Sequence, residues 1–127
     1  RMQSDMVELC LAAIEGKLDE KEANWDPRPA LGVVLAAGGY PAAYGKGEVI
    51  SLPADEGVDA KIFHAGTANN ENGDVVTSGG RVLCATALGN NITQAQENAY
   101  TLTKKISWDK AFYRSDIGYR AVARENS

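Results

Sequence analysis

The sequence predicts an α+β domain: an antiparallel sheet of about four to five strands, covered by one helix and preceded by another. Several apolar runs follow one another between residues 30 and 88, joined by short segments rich in Gly, Asn and Asp. Strands joined by such short turns pair antiparallel. Residues 4–18 and 93–106 instead carry apolar side chains at helical spacing. The length of 127 residues suffices for one core.

The first helix is predicted to begin at Ser4 and Asp5, whose side-chain oxygens suit the free N–H groups of a helix start. Gly16 marks its expected end. One apolar stripe follows, comprising Val7, Cys10, Leu11, Ile14 and Leu18. The segment Leu18–Pro29 is charged and then carries Trp25 and two prolines, which is typical of a connector. We therefore expect residues 1–23 to be the terminal helix and linker of a preceding domain, and residues 24–127 to form a separate C-terminal domain.

The strands are predicted from the apolar runs. Ala30–Ala37 is continuously apolar and is expected to be a central strand buried on both faces. Glu48–Ser51 is a candidate short edge strand. Lys61–Gly66 is predicted to form a hairpin with Asp74–Thr77, since the segment between them is rich in Asn and Gly. Arg81–Leu88 follows as a third consecutive strand.

The stretch Asn72–Leu88 predicts a strand, a tight diglycine turn and a second strand. Gly79 and Gly80 can adopt a positive φ and lie close to a neighbouring group, because neither has a Cβ. Arg81 is the first side chain beyond the bend, and backbone N–H groups in such a turn can surround an anion. A hairpin without any ligand explains the same pattern.

The C-terminal part predicts a second helix that begins at Thr93, with Gln96 completing a capping box. Its apolar face, which we expect to cover the sheet, comprises Ala95, Ala99, Leu102 and Ile106. An aromatic segment follows, then a turn at Asp116–Gly118. Tyr119–Ala123 is expected to be a last strand or extended segment.

The composition excludes several classes of protein. The net charge is -4, from 17 acidic and 13 basic residues with no Lys/Arg block, which argues against a nucleic-acid surface. No apolar run is long enough to cross a bilayer, so we expect a soluble protein without a membrane partner. Cys10 and Cys84 lie in apolar segments and are expected to be buried thiols, without a disulfide or zinc site.

Four segments occur here in an order that is characteristic of one enzyme family. They are Leu31–Pro41, Phe63–Thr67, Ser78–Leu83 and Arg114–Gly118. Together they resemble the C-terminal part of the phosphoribosylamine-glycine ligases, also called glycinamide ribonucleotide synthetases, of the ATP-grasp superfamily. The likeness extends along essentially the whole chain.

The resemblance implies a ligase that joins glycine to 5-phosphoribosylamine with hydrolysis of ATP to ADP and phosphate, in de novo purine (IMP) biosynthesis in the cytoplasm. It implies ATP and Mg²⁺ or Mn²⁺ in the intact enzyme, bound upstream of this chain, and glycyl phosphate as the intermediate. The implied partners are the N-terminal and ATP-grasp domains of the same polypeptide and the two small substrates. We expect this piece to bind no cofactor and to be inactive alone.

The resemblance also points to substrate-binding residues. Arg114 is the first candidate for the 5-phosphate, since a guanidinium matches phosphate oxygens, and Arg81 with Gly79 and Gly80 is the second. A surface ion pair between Arg114 and Asp116 is the simpler explanation from the residues alone. Asp116 either orients Arg114 or binds an amine. His64 is expected to be a hydrogen-bonded strand residue, and no catalytic residue is predicted.

Two other functions fit the residues. One is a stand-alone module that binds a small anion or a protein without catalysis. The other is a purely structural module that braces neighbouring domains. A fragment predicts an exposed apolar stripe on the first helix, whereas a stand-alone module predicts a self-contained surface.

Overall fold

The computed structural model describes all 127 residues and confirms the α+β class. Its elements, in chain order, are α1 (Met6–Ile14), a 3₁₀ turn (Leu18–Glu20), β1 (Ala30–Ala36), β2 (Ala60–His64), β3 (Thr67–Asn69), β4 (Val75–Thr77), β5 (Arg81–Leu88), α2 (Ile92–Thr103) and α3 (Tyr119–Glu125). The strands form two antiparallel sheets, one of order β1-β5-β2 and one that pairs β3 with β4. None of the helices combines the length and the apolar character needed to cross a membrane.

The central strand of the larger sheet is β5, and the prediction that Ala30–Ala37 is central was wrong. β1 pairs only with β5 among the strands, so it lies at an edge. Its inward side chains, including Val33 and Leu35, are fully buried, whereas Gly32 and Val34 are exposed. The apolar run therefore has one open face, on which Val34 is 43% exposed. Continuous hydrophobicity did not reveal this one-sided burial.

Helix α2 covers the inner face of the sheet, as predicted. Ala95 and Ala99 are fully buried and let the helix lie close to Leu31 and Val33. The expected apolar face is buried throughout, including Leu102 and Ile106. Small side chains on the helix pack against β-branched and leucine side chains on the strand in this layer.

The start of α2 differs from the predicted one. Asn91, not Thr93, caps the helix, and its Oδ1 accepts a hydrogen bond of 2.8 Å from the Gln94 N–H. Thr93 is instead bound to Glu125 of α3: its N–H and hydroxyl donate to that carboxylate at 3.2 and 2.9 Å. The Ile92 N–H donates to the same carboxylate at 2.8 Å, and this bond is the largest cause of the lowered pKa of Glu125. The carboxylate thus binds α3 to the positive end of α2.

Three further expectations were wrong in detail. Tyr119–Ala123 is helical, because Gly118 with φ 85° turns the chain into α3 rather than into an extended segment. Glu48–Ser51 makes only isolated bridges, through Val49 and Ser51. Asp74–Thr77 turns back at the expected Asn/Gly segment, but its partner is β3, since β2 pairs with β5.

Helix α1 begins as predicted, with the Asp5 carboxylate accepting a 2.7 Å bond from the Val7 N–H. Gly16, with φ 71°, follows its end. The predicted stripe is exposed, since α1 packs chiefly on the adjacent 3₁₀ turn. Cys10 is consequently exposed and Cys84 half-buried, so the expectation of two buried thiols was wrong. The thiols form no disulfide.

The two ends of the N-terminal segment contact each other, and Arg28 links this segment to the start of β2. Met2 bridges Trp25, and so the chain before α1 runs beside the chain after it. Arg28 forms a salt bridge of 2.8 Å with Asp26 and one of 3.0 Å with Asp59, which precedes β2. Its side-chain hydrogen bonds are the main cause of the pKa of about 2 at Asp26.

Core packing on the inner face of β1 should dominate stability. We expect Leu35→Ala to lower the free energy of unfolding by about 2–5 kcal/mol, because Leu35 has no exposed surface and its removal leaves a cavity. Val34→Ala, one residue away on the open face, should change it by less than about 1 kcal/mol. Urea denaturation followed by circular dichroism measures both. Similar losses in the two variants would contradict the one-sided burial of β1.

Candidate functional site

A β-bulge at the start of β5 turns the Arg81 side chain to the open face of the sheet. Leu35 pairs with Leu83 but Ala36 pairs with Arg81, so Val82 is the extra residue. Val82 and Leu83 are consecutive and both buried, whereas Arg81 is exposed. Regular alternation would have placed Arg81 on the same face as Leu83. The sequence carries this signal as two adjacent apolar residues, which the prediction did not use.

Gly79 and Gly80 do not form the predicted hairpin turn. They connect β4 of the small sheet to β5 of the large sheet, and neither has a positive φ. Gly79 is needed for a close backbone approach, since a Cβ there would lie 3.0 Å from the Gly66 Cα. The Gly79 N–H donates to the Gly66 carbonyl at 3.0 Å. That N–H is therefore already used and is not directed at a ligand.

Gly80 lies directly beneath two tyrosine rings. A Cβ at this position would overlap the Tyr40 ring, with Cε2 at 2.8 Å, and would approach Cε1 of Tyr44 at 3.0 Å. The two rings are tilted by 59° with centroids 6.1 Å apart. The Gly80 carbonyl accepts a 2.8 Å bond from the Ala37 N–H, which joins the end of β1 to the start of β5. Only a glycine fits here without displacing an aromatic ring.

Arg114 is brought to the same region along the free edge of β1. Phe112 and Ala36 exchange backbone hydrogen bonds of 2.8 and 3.0 Å, so the chain after α2 runs beside this edge. The Tyr100 hydroxyl of α2 donates to the Arg114 carbonyl at 2.6 Å and accepts from the Ile117 N–H at 3.0 Å. Tyr100 thus fixes the turn that carries Arg114, and sequence reasoning missed it.

Arg81 and Arg114 meet at one groove on the open side of the sheet. The groove has a volume of about 240 Å³ and a largely apolar lining. Besides the two arginines it is lined by Gly32, Val34, Ala36, Tyr40, Phe112, Tyr113 and Ile117. Two cations at the border of an apolar cleft are suited to an anion attached to an organic group.

The two arginines differ in how their charges are compensated. Arg114 binds Asp116 through two hydrogen bonds, Nε to Oδ1 at 2.8 Å and Nη2 to Oδ2 at 2.6 Å. These bonds raise the pKa of Arg114 and lower the pKa of Asp116. Arg81 forms no salt bridge with any carboxylate. Arg81 is therefore the free cation of the groove, and Arg114 is an oriented one whose Nη1 donates to no protein atom.

The metal-ligating side chains and the single histidine are placed as follows. No three His, Cys, Asp or Glu side chains converge as metal ligands would. The single histidine, His64, lies exposed at the end of β2, with Nδ1 3.0 Å from the Thr67 hydroxyl. This matches its predicted role as a hydrogen-bonded strand residue. The chemistry that the groove supports is anion binding.

Comparison with known protein families gives one match. The family model described as phosphoribosylglycinamide synthetase, C domain, matches residues 30–120. That range contains β1 to β5, α2, the first residues of α3 and every residue of the groove. The unmatched residues include α1 and the 3₁₀ turn.

Curated relatives and a solved structure agree with this match. Phosphoribosylamine–glycine ligase of Vibrio parahaemolyticus is 66% identical over 126 residues, which are 98% of this chain and 29% of the relative. The enzyme of the same name from Escherichia coli is 59% identical over 128 residues, 100% of this chain and 30% of the relative. The crystal structure of phosphoribosylamine–glycine ligase from Thermotoga maritima superposes with a TM-score of 0.71 at 36% identity, covering 87% of this chain and 27% of that one. The chain thus spans less than a third of the length of these relatives.

The ion pair at the groove can be tested by titration. Arg114→Gln should raise the pKa of Asp116 towards its ordinary value, because the hydrogen bond from Arg114 is the largest cause of its lowering. In the native chain the pair contributes stability above the unfolded pKa of Asp116 and loses it as the pH falls through the lower folded value. Carboxyl ¹³C NMR against pH measures both states. Glu125 serves as an internal control, since its pKa is lowered by donors on α2.

An Asp116 pKa that does not move in Arg114→Gln would show that the guanidinium is not its main partner in solution. A simultaneous rise in the pKa of Glu125 would instead indicate a disturbed C-terminal segment.

Proposed function

The chain belongs to the family of phosphoribosylglycinamide synthetase C domains, and on that premise we propose that it is the C-terminal part of a phosphoribosylamine–glycine ligase. In this proposal the intact enzyme joins glycine to 5-phosphoribosylamine, hydrolyses ATP to ADP and phosphate, and serves purine biosynthesis in the cytoplasm. The family match and the names of relatives at 59–66% identity support it. These relatives are more than three times as long, so most of the enzyme lies outside this chain.

The convergence of Arg81 and Arg114 on one groove carries the proposed role of this part. Arg81 supplies an uncompensated guanidinium for the 5-phosphate of phosphoribosylamine. Arg114 supplies its free Nη1 group while Asp116 holds the other side of its guanidinium. Gly79 and Gly80 contribute by close packing, which fixes the chain immediately before Arg81. The groove orients the sugar phosphate, and orientation alone can supply a substantial share of a rate enhancement.

ATP and Mg²⁺ or Mn²⁺ belong to the rest of the polypeptide in this proposal. A divalent cation between phosphate groups needs oxygen ligands such as carboxylates, and no three His, Cys, Asp or Glu side chains of this chain converge as metal ligands would. In this proposal, binding of the sugar phosphate at the groove does not involve the metal ion. The other domains of the same polypeptide are the protein partner, glycine and phosphoribosylamine are the small-molecule partners, and neither nucleic acid nor membrane takes part.

The exposed stripe of α1 favours the interpretation that this chain is part of a larger polypeptide rather than a stand-alone module. Val7, Leu11 and Ile14 are 64%, 54% and 82% exposed. Contiguous apolar surface of this kind marks a contact with another protein surface. We propose that residues 1–23 belong to the preceding ATP-grasp domain and that residues 24–127 form the C-terminal domain.

The phosphate contact predicts a selective loss of affinity. In the full-length enzyme, Arg114→Ala should weaken the apparent affinity for phosphoribosylamine by about 1.5–3 kcal/mol, because a charge-assisted hydrogen bond is lost. ATP affinity should change little. Steady-state kinetics with each substrate varied in turn measures both effects. Lys105→Ala is the matched control, since Lys105 is an exposed cation that does not line the groove.

Equal losses for phosphoribosylamine and ATP would indicate a folding defect rather than a phosphate contact. An unchanged affinity for phosphoribosylamine in Arg114→Ala would leave the guanidinium no role in substrate binding.

The isolated 127-residue chain should be inactive. With ATP, Mg²⁺, glycine and phosphoribosylamine we expect no ADP above background, because the chain has no cluster of metal ligands for phosphoryl transfer. A coupled assay for ADP, with the full-length enzyme as the positive control, measures this. Clear turnover would show that the chain holds the catalytic machinery and would overturn the division of roles proposed here.

A further inference from the structure

The Tyr40 ring packs directly on the backbone of Gly80. It rests on Gly80, and a Cβ on Gly80 would overlap it. Tyr44 lies beside it, with ring centroids 6.1 Å apart. The backbone is fixed as well, since the Tyr40 N–H donates to the Ala37 carbonyl at 3.0 Å. An aromatic ring supported in this way is preorganised.

The position of Tyr40 relates it directly to the phosphate-binding groups. Gly80 immediately precedes Arg81, so the ring lies on the residue next to the free cation of the groove. Tyr40 lines the same groove as both arginines. The guanidinium groups recognise phosphate oxygens but offer nothing specific to the carbon atoms that carry the phosphate. An aromatic face supplies apolar area against which the carbon side of a sugar can pack.

We propose that Tyr40 is a positioning residue that selects a pentose attached to the phosphate, with its ring seated on Gly80 as the wall that holds the sugar. This inference rests on the proposed function, in which Arg81 and Arg114 hold the phosphate. The roles are separable, because inorganic phosphate needs only the arginines, whereas ribose 5-phosphate also needs the ring. The inference assigns no proton transfer or covalent step to Tyr40.

The test compares two probes in the full-length enzyme. Ribose 5-phosphate and inorganic phosphate are measured as competitive inhibitors against phosphoribosylamine. The variants are Tyr40→Ala, Tyr40→Phe, Arg81→Ala, Gly80→Ala and the double variant Gly80→Ala/Tyr40→Ala. Gly45→Ala is the matched control, since a Cβ at Gly45 meets no atom within 4 Å and its φ is not positive. Thermal unfolding of each variant monitors the fold.

The two inhibitors should respond differently to loss of the Tyr40 ring and to loss of the Arg81 guanidinium. Tyr40→Ala should weaken ribose 5-phosphate about tenfold or more and inorganic phosphate less than about twofold. Tyr40→Phe should recover most of that loss, because it keeps the ring. Arg81→Ala should weaken both probes. The KM for phosphoribosylamine should follow ribose 5-phosphate across this series.

Gly80→Ala should weaken ribose 5-phosphate as Tyr40→Ala does, since the added methyl group displaces the ring. In the double variant the overlap with the Tyr40 ring is gone and only the 3.0 Å approach to Cε1 of Tyr44 remains, so its inhibition constant should match that of Tyr40→Ala within about twofold. If Gly80→Ala does not fold, the comparison of Tyr40→Ala with Tyr40→Phe decides.

Three results would overturn the inference: unchanged ribose 5-phosphate inhibition in Tyr40→Ala, equal weakening of both probes, or a Tyr40→Phe variant as impaired as Tyr40→Ala. Failure of the proposed phosphate site appears differently, as unchanged inhibition by inorganic phosphate in Arg81→Ala. In that case, weaker inhibition by ribose 5-phosphate alone in Tyr40→Ala would still support a role of the Tyr40 ring in holding the sugar.

Discussion

The structure depends on the close approach of three backbone segments where β5 begins. Gly79 lies against Gly66, and Gly80 lies beneath the Tyr40 ring, so the chain at this point has room for no side chain. β5 is the only strand that pairs with a strand on each side, so both neighbours in the larger sheet are aligned on it. The same approach links the small sheet to the large one. A side chain at either glycine would have to separate the segments that meet here or displace the Tyr40 ring.

Two local features next to the start of β5 form the groove. The bulge at Val82 turns Arg81 outwards, and the backbone exchange between Ala36 and Phe112 brings Arg114 to the opposite edge of β1. Residues 33 positions apart in sequence thus meet across a single strand. The two arginines differ in that only Arg114 is paired with a carboxylate. An arginine held by a carboxylate is well oriented but partly neutralised, whereas a free one attracts anions more strongly. A pair of this kind combines attraction with directional control.

Two features that are determined within one helix were predicted from the sequence. The start of α1 at Asp5 and the buried face of α2 follow from side-chain chemistry and spacing within one helix. The position of β1 at an edge and the separate pairing of β3 with β4 depend on which strands meet, which periodicity does not encode. Likewise, Gly79 and Gly80 were correctly expected to permit close approach, but their φ angles were not as predicted. Arg114 was named from the family resemblance and Arg81 from its place beside Gly79 and Gly80, whereas their convergence, and the Tyr100 that fixes Arg114, required the fold.

The charges of the groove lie in contact with solvent, which limits how strongly they attract a ligand. Its arginines are exposed, and the side chain of Arg114 is 69% accessible to water. Charges in water attract an anion only moderately, since solvent screens them, and their electrostatic effect is stronger in a site from which water is excluded. Closure by a second surface would strengthen both guanidinium contacts without any change in their geometry. In the proposed function, another part of a longer polypeptide covers the open face of the sheet and the exposed stripe of α1, so completion of the site and burial of apolar area occur together.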